Sequence, residues 1–166
     1  IYGGTSINYF LKKHNKQIYN ENDIKDYDIY TPNPIKDCMD ISNLLFNKGY
    51  KYVRTEEAQH NKTYTVFTET IKVLDLTYVQ NKIYNNIPFE KDKKGLKYVK
   101  PIFLINDIYR VINDPILSYT IPQRLEKDIK RGKLLEKYYW DNTNAVNNYK
   151  IIKHKNNNVD LLLHLY

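Results

Sequence analysis

Apolar positions along the chain follow two rhythms. After a Gly3-Gly4 pair, TSINYFLKKHNK sets Ile7, Phe10 and Leu11 on one face at helical spacing, with Thr5 and Ser6 as N-cap types. The run DIKDYDIYTPNP changes to a period of two, so Lys25–Thr31 reads as a strand ended by Pro32 and Pro34. IKDCMDISNLLFNKG returns to helical spacing and closes at Gly49, a C′ position. Three β-rich runs follow, YKYVRTEEA, KTYTVFTE and IKVLDLTYV, separated by QHN and by a tight turn near Glu69–Thr70.

Residues 88–100, PFEKDKKGLKYVK, read as a charged connector. Pro101 suits the first turn of a helix over IFLINDIYRVIND, which Pro115 ends. IPQRLEKDIKRGKLLEKYYW is a second helix with Leu125, Ile129, Leu134 and Leu135 inward. Gly132 interrupts it at a cost of about 1 kcal/mol against alanine. In the tail, KHKNNNVD reads as a polar turn. The expected fold is therefore mixed, α+β or α/β, with a core over residues 1–100 and a helical extension over 101–166 packed on it. IYGG reads as the end of a strand entering a glycine turn, so the chain is expected to begin inside a fold and to be part of a longer protein.

Composition narrows the partners. At 166 residues the chain is long enough for one real core. No run approaches the ~20 apolar residues of a membrane span, and no signal peptide is visible. One cysteine, Cys38, excludes an internal disulfide and thiolate metal sites and suits a reducing compartment, leaving oxygen-ligated metals open. The net charge of +7, mostly lysine, favours a polyanion such as nucleic acid or nucleotide phosphate, although basicity also serves solubility. The four histidines have no ligand-like spacing. Tyrosines in 50–68 could stack bases but suit packing better.

Candidate chemistry gathers at three places. The turn Gly3, Gly4, Thr5, Ser6 leads from strand to helix, where free N–H groups and the helix dipole can hold phosphate. Within the next strand, alternation puts Asp26, Asp28 and Tyr30 on one face, the two carboxylates roughly 6–7 Å apart at their Cα atoms. Such a pair needs a cation or water between them. Asp75 shares a face with Val73 and Thr77 in an otherwise apolar strand, where an unpaired carboxylate is expensive. Three carboxylates can hold two Mg²⁺ or Mn²⁺ ions about 3.5–4 Å apart, as phosphoryl or nucleotidyl transfer requires.

GGTS, DYDIY and VLDLTYV together resemble the signature of the DNA polymerase beta-like nucleotidyltransferases, whose mixed sheet is flanked by helices. The stretch PIFLINDIYRVINDPI…QRLEKDIKRGKLLEKYY is similar to poly(A) polymerase catalytic subunits of large nucleocytoplasmic DNA viruses, the giant-virus type. The resemblance spans about residues 1 to 140. It implies an enzyme adding AMP from ATP to RNA 3′ ends in the host cytoplasm, the virus factory or the virion. It implies that Gly3, Gly4 and Ser6 hold the triphosphate, that Asp26 and Asp28 bind both metals, and that Asp75 helps activate the RNA 3′ hydroxyl. Arg124, Lys127, Lys130 and Arg131 are candidate RNA contacts, or else a solvated face supported by pairs such as Glu126–Lys130. The family's chains are longer, with a second domain and room for a homodimer or an accessory subunit. Nineteen residues between Ser6 and Asp26 exceed the family's usual gap. Other readings are a transferase of the same fold acting on tRNA ends or proteins, a silent RNA-binding subunit, or a plain binding domain.

Overall fold

The computed structural model describes residues 1–20, 23, 26–58, 61–114 and 122–140. Helix α1 (Gly3–Lys12) leads to strand β1 (Tyr27–Thr31) and helix α2 (Pro34–Asn47). Strands β2 (Arg54–Glu57), β3 (Thr63–Thr68) and β4 (Ile71–Tyr78) follow. A one-turn helix α3 (Asn81–Tyr84) precedes strands β5 (Phe89–Lys91) and β6 (Lys97–Val99). Helices α4 (Pro101–Asn113) and α5 (Pro122–Tyr139) complete the described chain.

The main sheet has the order β1-β4-β3-β2, with β1 and β4 parallel and the other pairs antiparallel. It is the mixed sheet flanked by helices that the sequence predicts. Helix α2 covers one face, burying Cys38, Val66, Leu74 and Leu76. On the other side Ile7 and Leu11 of α1 meet Leu104, Ile105 and Ile108 of α4 and Leu135 of α5. The last helices thus share a core with α1. Gly132 has a packing reason: a Cβ there would stand 3.2 Å from Ile108 Cγ2, so its absence lets α5 approach α4.

Several local expectations change. Helix α1 begins at Gly3, not after Ser6, and its N-cap residue Tyr2 makes no side-chain cap. The run 50–58 supplies a strand only over Arg54–Glu57; Tyr52 has φ +52, incompatible with continuing a strand back through it. Tyr64 packs against the α2 cluster, whereas Tyr50 and Tyr52 are exposed. The connector is a hairpin, with Lys91 opposite Lys97. Gly49 sits at φ +88 after α2, as a C′ residue should. Lys25, Pro115, His60 and the tail, with His154 and His164, lie outside the described residues.

One irregularity matters for the site. On β3, the adjacent residues Val66 and Phe67 pair with Leu74 and Lys72, so Val73 is an extra residue on β4. This bulge flips the parity of the strand. Val73 packs with the α2 cluster rather than beside Asp75, and the Lys72 side chain reaches the Asp75 face.

Candidate active site

Register builds the site. An isolated bridge joins Tyr2 to Asp28, Asp28 lies beside Asp75, and Asp75 lies beside Thr65, making one row across four stretches of chain. Asp26 precedes β1 by one residue, and Thr5 on α1 fixes its backbone by donating to the Asp26 carbonyl at 2.9 Å. One carboxylate oxygen each from Asp26, Asp28 and Asp75 falls within 4.8 Å of the others. The three aspartates predicted from sequence therefore converge.

Each acid has a different environment. Asp75 is 9% exposed and is oriented by Thr65, whose hydroxyl donates to Oδ1 at 2.6 Å. Asp28 is pushed up to about 6, first by burial and then by the charges of Asp26 and Asp75; Lys72 and the Gly4 N–H oppose the shift. One of the free N–H groups at the start of α1, that of Gly4, is thus spent on the Asp28 carboxylate. Gly3, at φ +60, leaves so little room that a Cβ would stand 2.0 Å from Asp28 Oδ2. Lys72 supplies the expected positive charge: its Nζ lies 2.7 Å from Asp26 Oδ2 and 2.8 Å from Asp75 Oδ2. Reading β4 by alternation missed this residue, because the bulge at Val73 moves it across the sheet.

The glycine turn is more crowded than expected. Ser6 is fully buried, and its hydroxyl donates to the Val99 carbonyl at 2.9 Å, so it fastens α1 to β6 instead of facing a phosphate. Over Gly4 stand Tyr19 and Arg131. The arginine Nη2 donates to the Tyr19 hydroxyl at 3.3 Å and would lie 3.4 Å from a Cβ on Gly4. Arg131 thus turns toward the turn and away from the solvent face of α5. On that face Arg124 pairs with Asp128 and Lys130 with Glu126, while Lys127 is exposed.

The β5–β6 hairpin carries a second basic surface. Lys91, Lys93, Lys94, Lys97 and Lys100 are all exposed. Among the described residues none has a carboxylate within ion-pair distance. Asp92 caps the hairpin turn by accepting from the Lys94 and Leu96 N–H groups, and Glu90 is taken by Lys13 and Tyr9. Lys91 directly opposite Lys97 is destabilising unless an anion covers them.

Three hard oxygen ligands on one patch fit Mg²⁺ or Mn²⁺ and no soft metal. Acids on two adjacent parallel strands, next to a glycine turn opening a helix, define a nucleotidyltransferase fold. A family profile described as the poly(A) polymerase catalytic subunit matches residues 1–118, and the chain belongs to that family. It is 36% identical over 142 residues to a protein of Acanthamoeba polyphaga mimivirus described as a poly(A) polymerase catalytic subunit, covering 84% of this chain and 24% of that one. A similarly described protein of African swine fever virus is 33% identical, with 84% and 30% covered. The crystal structure of the Megavirus polyadenylate synthase superposes with a TM-score of 0.76 at 36% identity, over 83% of this chain and 28% of that one. The chain spans less than a third of the length of these relatives. No helix among the described residues is long and apolar enough to cross a membrane.

Proposed function

We propose that this chain carries the nucleotide-transfer site of a viral poly(A) polymerase, which adds adenylate from ATP to RNA 3′ ends in the cytoplasm or virus factory of the host. The observation that carries the reading is the convergence of Asp26, Asp28 and Asp75 beside the Gly3-Gly4 turn. Two divalent ions held by these carboxylates would supply an activated RNA 3′ hydroxyl and neutralise the triphosphate and departing pyrophosphate.

The remaining work falls to the chain itself. Thr65 and Thr5 hold Asp75 and the Asp26 backbone in place, so two ligands are oriented before any substrate arrives. With the Gly4 N–H taken by Asp28, the start of α1 offers the backbone at Gly3 and Thr5 to the triphosphate, and the Arg131 guanidinium beside Gly4 adds a fixed positive charge. Ser6 contributes by anchoring this turn to β6. The five hairpin lysines suit the RNA backbone upstream of the reacting end, with Arg124, Lys127 and Lys130 of α5 as a second contact.

Primer extension tests this. The chain is incubated with a short labelled RNA, Mg²⁺ or Mn²⁺ and each NTP separately, beside an Asp26→Ala, Asp28→Ala double variant. A ladder with ATP that vanishes in the variant is expected. If the unaltered chain shows no extension and no metal-dependent ATP binding, the reading is overturned.

A further inference from the structure

We infer that Lys72 is an internal stand-in cation: its ammonium gathers the carboxylates of the site while no metal is bound and competes with metal for the same oxygens. The inference rests on reading Asp26, Asp28 and Asp75 as metal ligands. Its geometry is direct. Nζ lies 2.7 Å from Asp26 Oδ2 and 2.8 Å from Asp75 Oδ2, so one ammonium bridges acids that come from opposite ends of the fold's sequence core. Both acids belong to the cluster in which one carboxylate oxygen from each aspartate lies within 4.8 Å of the others.

A divalent ion coordinates carboxylate oxygen at about 2.0–2.1 Å for Mg²⁺. The ammonium, at hydrogen-bond distance from two of the same carboxylates, would then face a second cation at close range. Metal entry therefore displaces Lys72. The side chain can leave without moving the backbone, because it is 38% exposed and ends a four-carbon stem on the rim of β4. The fold also spends an irregularity on putting it there. Strict alternation from Asp75 would send residue 72 toward α2; the extra residue Val73 brings it back to the acid face. A lysine needed only for surface charge requires no such register break.

Two opposed consequences separate this role from ordinary structural support. Removing the ammonium leaves three acids facing one another, so the metal-free protein loses stability. The same removal frees the oxygens, so metal binds more tightly. A merely structural lysine gives the first effect without the second.

The test uses the chain freed of metal by EDTA and passage over chelating resin, comparing it with Lys72→Met and Lys72→Gln. Thermal unfolding is recorded without metal, and Mn²⁺ binding is measured from the electron paramagnetic resonance of the free ion. The expected result is a lower metal-free Tm together with Mn²⁺ affinity raised at least tenfold in both variants; Gln, which keeps a donor, guards against a folding defect in Met. Mn²⁺ binding by the unaltered chain with equal or weaker binding in both variants overturns the inference alone. No Mn²⁺ binding by any of the three proteins overturns the proposed metal site as well.

Discussion

Gly3→Ala is the sharpest perturbation of the site. At φ +60 an alanine adopts a left-handed backbone at a cost of roughly 1–2 kcal/mol. Its Cβ would also stand 2.0 Å from Asp28 Oδ2, 2.7 Å from Cγ and 3.1 Å from the Asp28 Cβ, so the whole short side chain is in the way. The carboxylate must rotate off the Gly4 N–H, and a hydrogen bond to a charged acceptor contributes about 1.5–3 kcal/mol. Together these destabilise by about 3–5 kcal/mol, a large part of the 5–15 kcal/mol typical of a folded domain. At roughly 2–4 °C per kcal/mol for a chain of this size, Tm falls by about 6–20 °C. Because Asp28 is the group displaced, Mn²⁺ binding weakens beyond what the lower Tm explains when measured well below it.

Gly4→Ala is the internal comparison. Its Cβ would meet the far end of a side chain, the Tyr19 hydroxyl at 1.9 Å, with no left-handed strain. Alanine is also better than glycine inside a helix by about 1 kcal/mol. That variant keeps its metal affinity and most of its Tm, while losing the Tyr19 and Arg131 cover over the turn. The assay is calorimetric unfolding with a Mn²⁺ titration at 15 °C. A Gly3→Ala protein within 2 °C of the parent, with unchanged Mn²⁺ affinity, would refute the close approach of Gly3 to Asp28.

Other outcomes follow from the same geometry. Asp28 ionises near 6 instead of its ordinary 3.8, so Mn²⁺ affinity should fall as pH drops below about 6 and level off above it, with proton uptake or release read by calorimetry in two buffers. In the metal-free protein the sign is opposite: a raised carboxyl value means that stability contributed by this group is lost as pH climbs from about 4 through 6. Cys38 is 2% exposed, and burial pushes its thiol up to about 11, so native protein should resist iodoacetamide at pH 8 and react only on unfolding. Changing Lys91, Lys93, Lys94 and Lys97 to Gln should flatten the salt dependence of RNA affinity by about 0.7 in log–log slope per lost phosphate contact, with Mn²⁺ affinity unaltered. An unchanged slope by fluorescence anisotropy removes the hairpin from the RNA path.

The legible parts of the sequence were those governed by local periodicity. Helix α4 shows itself through Leu104, Ile105 and Ile108 and through Pro101 at its start, Asp26 and Asp28 stand out as a like-charged pair on one strand face, and Asp75 as a charge within an apolar strand. Convergence was expected from the chemistry of three carboxylates and from the resemblance of GGTS, DYDIY and VLDLTYV, and the parallel register of β1 and β4 is what brings Asp28 beside Asp75. What escaped were effects that depend on the partner strand or on distant residues. A three-residue strand such as Phe89–Lys91 has too little pattern to distinguish it from a connector. Ser6 reads as a phosphate ligand until β6 is in place, because only then does the Val99 carbonyl claim its hydroxyl. Arg131 looks solvent-facing on a helical projection, yet Tyr19, 112 residues earlier, draws it to the glycine turn.

The extra residue Val73 makes the wiring of this centre a matter of counting. Deleting that single codon would remove the bulge yet leave Lys72 two residues before Asp75, still on the acid face, whereas straightening β4 at its present length would carry Lys72 to the α2 side while Asp75 keeps its pairing with Asp28 and Thr65. A change of pairing by one residue, with no acidic residue touched, would thus convert a pocket that carries its own cation into one that must draw every neutralising charge from solution. In such a family, the register of the strand that carries Asp75, more than its acidic side chain, is where dependence on ambient metal can be reset.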